Sequence, residues 1–167
     1  ITIYPEDYHR HQQLNLKLKL WNEQEGRCPY SGRMIEITDL LNRPELFEVD
    51  HIIPRSISFD DSRANKVLVY ATENQKKGNM TPYFYLRSVD REWGYDEYKE
   101  FIRSLSAKKK IRKKKASNFL FTDDITKIDV LKGFISRNLN DTRYASRVVL
   151  NIMQNYFRAK ECDTKVK

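Results

Sequence analysis

Residues 47–54 read Phe47-Glu48-Val49-Asp50-His51-Ile52-Ile53-Pro54. Apolar and polar side chains alternate as far as Asp50, as they do along a strand with one covered face. Pro54 closes the run, because proline cannot donate a hydrogen bond to a strand ladder. Polar turn formers follow at Ser58, Asp60, Asp61 and Ser62, and Val67-Leu68-Val69-Tyr70 reads as a second strand. Thr72-Glu73-Asn74-Gln75 matches a capping box, with Thr72 at the N-cap and Gln75 three residues on, and Gly78 stops the helix early. The predicted local order is strand, loop, strand, short helix.

Outward from this core the chain reads as helical. Leu14, Leu16, Leu18 and Leu20 alternate like a strand, but Leu14, Leu18 and Trp21 also share a helix face and Gly26 is placed to end it, which favours the helix. Residues 1–11 are polar and read as irregular; His9 and His11 form an H-x-H pair with no ligand partner nearby in the sequence, so they are taken as linker residues. Downstream, Tyr95, Tyr98, Phe101, Ile102 and Leu105 fall on one helix face. Val130, Leu131, Phe134, Ile135 and Leu139 fall on another, and Ala145, Val148, Val149, Ile152, Met153 and Tyr156 on a third.

A length of 167 residues gives one domain with a real core, and no window approaches a membrane span. The start at Ile1, the lack of a signal-peptide layout and only two cysteines, Cys28 and Cys162, suggest a processed or excised product of a reducing cytoplasm. The net charge is +8, and residues 103–115 account for all of it: Arg103, Lys108, Lys109, Lys110, Arg112, Lys113, Lys114 and Lys115, with no acid among them. Such a run suits polyanion contact, because clustered cations release counterions as they neutralise phosphates; a merely solvated face reads equally well from composition alone.

Chemistry concentrates at Asp50-His51. Adjacent strand residues point to opposite faces, but a strand end relaxes that and lets both approach one phosphate. Metal-assisted phosphodiester hydrolysis needs hard oxygen ligands, a base for water and charge neutralisation. Asp50 offers an anionic oxygen, and His51 a base of the type whose ordinary pKa, about 6.5, suits neutral pH. Asn65 follows His51 by 14 residues and Asn74 by 23. A helix packed back on the hairpin would bring the Asn74 amide oxygen beside the strand end as a second ligand. The ordinary alternative for an isolated Asp-His pair is a structural salt bridge or a surface histidine.

The segment EVDHIIPRSISFDDSRANKVLVYATENQKKGN, residues 48–79, resembles the HNH nuclease domain of the type II CRISPR RNA-guided DNA endonucleases, the Cas-nine family. Arg27-Cys28-Pro29-Tyr30-Ser31-Gly32 and Arg137-Asn138-Leu139-Asn140-Asp141-Thr142-Arg143-Tyr144 are similar to that family as well. KKGN and RNLNDTRY point to its compact type II-C group. The resemblance implies an α+β, mostly helical fold with a ββα-metal core, in which helices surround a short two-stranded hairpin. It implies an N-terminal linker over 1–11, the nuclease domain over 12–139 and a C-terminal linker helix over 140–167. Asp50 matches the metal-binding aspartate, His51 the general base, Asn74 the second metal ligand and Asn65 the central asparagine that braces the loop. Lys77 matches a basic residue near the site and, with the basic run, is a candidate nucleic-acid contact.

The family activity implied is hydrolysis of the DNA strand paired to the guide RNA, giving 5′-phosphate products. The implied partners are that heteroduplex, the guide RNA, the remaining domains of the parent effector and anti-CRISPR inhibitor proteins, in a bacterial cytoplasm and without a membrane. An Asp plus Asn ligand pair favours Mg²⁺, with Mn²⁺ as substitute, over Zn²⁺. Where many HNH proteins carry a CxxC zinc pair, this chain reads Cys28-Pro29-Tyr30-Ser31, so structural zinc is not expected and Cys28 reads as a small buried residue. Two other readings remain at this stage. A stand-alone homing or restriction endonuclease would cut duplex DNA without guide RNA, and a non-catalytic nucleic-acid-binding module would survive mutation of Asp50.

Overall fold

A computed structural model describes residues 5–88 and 90–138. The chain forms two compact units, one from the residues up to Ile53 together with Asp61–Thr122, the other from Pro54–Asp60 together with the chain from Asp123 onward.

The first unit opens with α1 (Pro5–Glu23). Residues 5–11, irregular by sequence, are therefore helical. Pro5 sits in the first turn, where a missing N–H costs nothing. A hairpin-like bridge between Arg27 and Met34 leads to α2 (Ile37–Asn42). The expected strands are present as β1 (Phe47–His51) and β2 (Lys66–Tyr70), antiparallel, with Phe47 opposite Tyr70, Asp50 opposite Val67 and His51 opposite Lys66. Val67, Leu68 and Val69 are all fully buried, so both faces of β2 are covered and its sequence is a continuous apolar run. The outer edge of β2 is covered by a side chain. The Gln24 amide donates to Leu68 O at 2.7 Å and accepts from Leu68 N at 3.1 Å, as a third strand would.

β2 runs without a loop into α4 (Ala71–Lys77). This corrects the capping box. The N-cap is Tyr70, with no side-chain cap bond, and Thr72 is already inside the first turn. Gly78, with φ 52, ends the helix as expected, its N–H bonded to Asn74 O at 3.0 Å. Then come α5 (Pro82–Arg87), α6 (Tyr95–Ala107) and α7 (Lys113–Phe119). The α6 stripe is inside, with Tyr98, Ile102 and Leu105 fully buried against the core of Leu20, Tyr30, Phe47, Leu68 and Phe119. The core also holds Cys28 as a small buried thiol.

In the second unit, α3 (Arg55–Ser58) ends at Phe59, whose φ is 53, and packs on α8 (Ile128–Asn138). Among the described residues of the α8 stripe Phe134 is the buried one, and Leu139 lies outside the described residues. The third predicted stripe, 145–156, and Cys162 lie outside the described residues. Among those described, no helix is long and apolar enough to cross a membrane.

Tyr98 reports on this core. Its hydroxyl donates to Phe119 O at 2.8 Å, and burial raises its phenol well above the ordinary 10.0. The folded state thus keeps a proton that the unfolded chain releases near pH 10, so this contribution is complete below about pH 10 and is lost as the pH climbs through the folded value. Tyr98→Phe should cost about 1–2 kcal/mol at pH 7, from the stranded Phe119 carbonyl. It should also flatten the decline in stability above about pH 10. Urea denaturation of both proteins across that range checks this, and equal alkaline slopes would contradict it.

Candidate active site

Strand alternation places Glu48 and Asp50 on one face of β1, and that face meets the side of α4 carrying Asn74 and Lys77. Two pairs cross the junction. Asn74 Nδ2 donates to Glu48 Oε2 at 2.6 Å, and Lys77 Nζ lies 2.9 Å from Asp50 Oδ2. Asp50 and Asn74 therefore share one side of the junction. Asp50 is buried at 8% exposure and its Oδ2 also accepts from the Tyr30 hydroxyl at 2.7 Å. Lys77 spends a further proton on His51 O at 3.1 Å. Burial lowers the Lys77 ammonium from 10.5, and the Asp50 charge opposes that shift. Burial, and then the Asp50 charge, push the Tyr30 phenol well above 10.0.

His51 faces the other way. Its Nε2 lies 2.8 Å from Asp61 Oδ1, and Asp61 in turn holds Lys66 Nζ at 3.2 Å. The His51 side chain is 23% exposed, so solvent reaches the imidazole. Asn65 is fully buried and grips Ile53 from both sides: its Oδ1 accepts from Ile53 N and its Nδ2 donates to Ile53 O, each at 2.9 Å. Ile52 N also donates to Asn65 O at 2.9 Å. Asn65 is thus a brace for the chain leaving His51.

The candidate nucleic-acid contacts divide. Lys77 and Lys115 are corrected, because both are buried and paired, Lys77 with Asp50 and Lys115 with Glu23 Oε2 at 2.6 Å. An inward ammonium held by a carboxylate does not face a phosphate. Lys108 is exposed but bonded to Glu25 Oε2 at 2.8 Å. Lys109, Lys110, Arg112, Lys113 and Lys114 are exposed around the turn between α6 and α7.

Sequence reasoning misses Glu48, Asp61 and Tyr30. Alternation from Asp50 already signals Glu48. Asp61 carries only the mark of a turn residue, and nothing local singles out Tyr30, whose hydroxyl reaches 20 residues along the chain.

The donor set fits a hard divalent cation. Asp50 offers a carboxylate and Asn74 an amide oxygen at the β1–α4 junction, and no thiol is among them.

A family model described as HNH endonuclease matches residues 28–83. The CRISPR-associated endonuclease Cas9 1 of Streptococcus thermophilus is 55% identical over 159 residues, 95% of this chain and 14% of that protein. The CRISPR-associated endonuclease Cas9 of Staphylococcus aureus is 51% identical over 152 residues, 90% of this chain and 14% of that protein. A crystal structure of Streptococcus thermophilus Cas9 in complex with the AGGA PAM superposes with a TM-score of 0.69 at 53% identity, over 95% of this chain and 15% of that one. The chain thus spans about one-seventh of the length of these relatives.

Proposed function

Because the chain belongs to the HNH endonucleases, in the branch formed by the CRISPR-associated Cas9 proteins, we propose that it hydrolyses one DNA strand, the strand paired to a guide RNA, as the HNH domain of a larger effector. The observation that carries the proposal is the division of labour at the end of β1. Asp50 turns inward beside the α4 face that bears Asn74, and the next residue, His51, turns outward to solvent and Asp61.

Each residue then has a chemical task. A carboxylate accepts hydrogen bonds and does not donate them, so Asp61 keeps the hydrogen on His51 Nε2 and leaves Nδ1 as the basic nitrogen. Nδ1 takes the proton from the attacking water. Asn65, by gripping Ile53, holds the backbone just after His51 and so limits how far the imidazole can drift. Asp50 and Asn74 would hold Mg²⁺ or Mn²⁺, which supplies Lewis-acid polarisation of the scissile phosphate. Family chemistry gives a 3′-hydroxyl and a 5′-phosphate. No zinc is assigned, since Cys28 is a buried thiol whose pKa burial raises.

The test separates the two neighbours. His51→Ala should lose about 10²–10⁴-fold in single-turnover cleavage of the guide-paired strand by the parent effector, with Mn²⁺ affinity intact. Asp50→Asn should lose both cleavage and Mn²⁺ affinity. Cleavage at the wild-type rate by the His51 variant would remove it from the mechanism, and retained cleavage by the Asp50 variant would favour a binding-only module.

The exposed cations at the α6–α7 turn are proposed to lie along nucleic-acid phosphates with little sequence preference. Replacing Lys109, Lys110, Lys113 and Lys114 with Gln should make the plot of log binding constant against log salt shallower, by about 0.9 for each phosphate that the chain no longer neutralises. An unchanged slope would reduce the run to a solubility feature.

A further inference from the structure

We propose that Glu48 is a positioning residue of the metal site: its carboxylate holds the Asn74 amide with Nδ2 turned toward Glu48, which reserves Oδ1 as the pole offered to a divalent cation. The proposal rests on the assignment of Asp50 and Asn74 as the ligand pair.

The two poles of an asparagine amide are nearly equal in size, so packing alone does not choose between them. Only one pole suits a cation. A half-turn about the last side-chain bond would present the NH₂ group, whose partial positive charge repels a metal. Glu48 removes that freedom. Its Oε2 accepts from Asn74 Nδ2 at 2.6 Å, in a half-buried position. The flipped amide would set an oxygen against a carboxylate oxygen, with no hydrogen between them.

The placement follows from the strand. Glu48 stands two residues before Asp50, on the same face of β1. Asn74 stands three residues before Lys77, on the same side of α4. The Asn74–Glu48 and Lys77–Asp50 contacts therefore fix the roll of α4 on β1 at two points. Partners that orient ligands in this way are worth about 10–100-fold in metal affinity.

Glu48 could instead act through its charge, or bind the cation itself, and near-isosteric variants separate these roles. Mn²⁺ is titrated into the 167-residue chain with the free-ion electron paramagnetic resonance signal as readout, and each variant is melted in parallel. Glu48→Met keeps the length but has no acceptor oxygen, and should weaken Mn²⁺ binding about 10–100-fold. Glu48→Gln keeps an acceptor for Asn74 and should retain most of the affinity. In an Asn74→Ala background, Glu48→Met should change nothing further, because Glu48 acts through Asn74. A Gln variant as weak as the Met variant would overturn the positioning role in favour of charge or direct ligation. An unaffected Met variant, or an undiminished Met effect without Asn74, would overturn it too. Asp50→Asn reports separately: unchanged Mn²⁺ affinity there would sink the metal assignment itself and not the Glu48 argument alone.

Discussion

Asp50 is a carboxylate inside the protein, and the surrounding structure exists in large part to hold it there. Desolvating a carboxylate is costly unless it is paired and hydrogen-bonded. Here the Lys77 ammonium and the Tyr30 hydroxyl both settle on Oδ2. Those two contacts bring together three segments far apart in the chain: the turn after α1, the end of β1 and the last turn of α4. Removing one partner of a buried ion pair typically costs about 3–5 kcal/mol, against about 1.5–3 for a single hydrogen bond to a charged group. The Lys77 contact is accordingly the stronger tie between α4 and the strand. Once α4 is pinned in this way, Asn74 faces β1, where its amide meets Glu48.

The same constraint sends His51 outward. A strand that turns Asp50 in must turn its neighbour out, where the imidazole meets Asp61 and water. The proposed cation ligand and the proposed base are therefore neighbours along the backbone, held by different partners. The inward side is buried and charge-paired, Lys77 against Asp50. The outward side is open to solvent at the His51 imidazole. Asn65 keeps the two in register by closing both polar groups of Ile53.

Much of this is legible in the sequence. Alternation through Phe47–Asp50, the proline stop and the apolar run at 67–70 mark the hairpin, because each is a direct consequence of backbone geometry. The resemblance of residues 48–79 to the HNH family, rather than geometry, is what singles out Asp50, His51 and Asn74 as the proposed site. The rest depends on distant partners. Lys115 looks like any other lysine of a basic run, and only Glu23, 92 residues away, explains its burial. The capping rule points to Thr72 but loses to a strand that enters its helix without a break. Asp61 carries the signature of a turn and not of a catalytic partner, since only the folded loop brings it to His51. Pro5 is itself a helix-start signal, masked in the sequence by the polar character of its segment.

Asp50 and Asn74 are proposed to bind one hard cation on the inner side of the strand while His51 stays clear of it. Crystals of the protein soaked in Mn²⁺ test this through the anomalous signal of the ion. A single peak is expected, bound by an Asp50 carboxylate oxygen and by Asn74 Oδ1, with the His51 imidazole outside the ligand shell. A peak coordinated by His51 without Asn74, or no peak at Asp50 at saturating Mn²⁺, would contradict it.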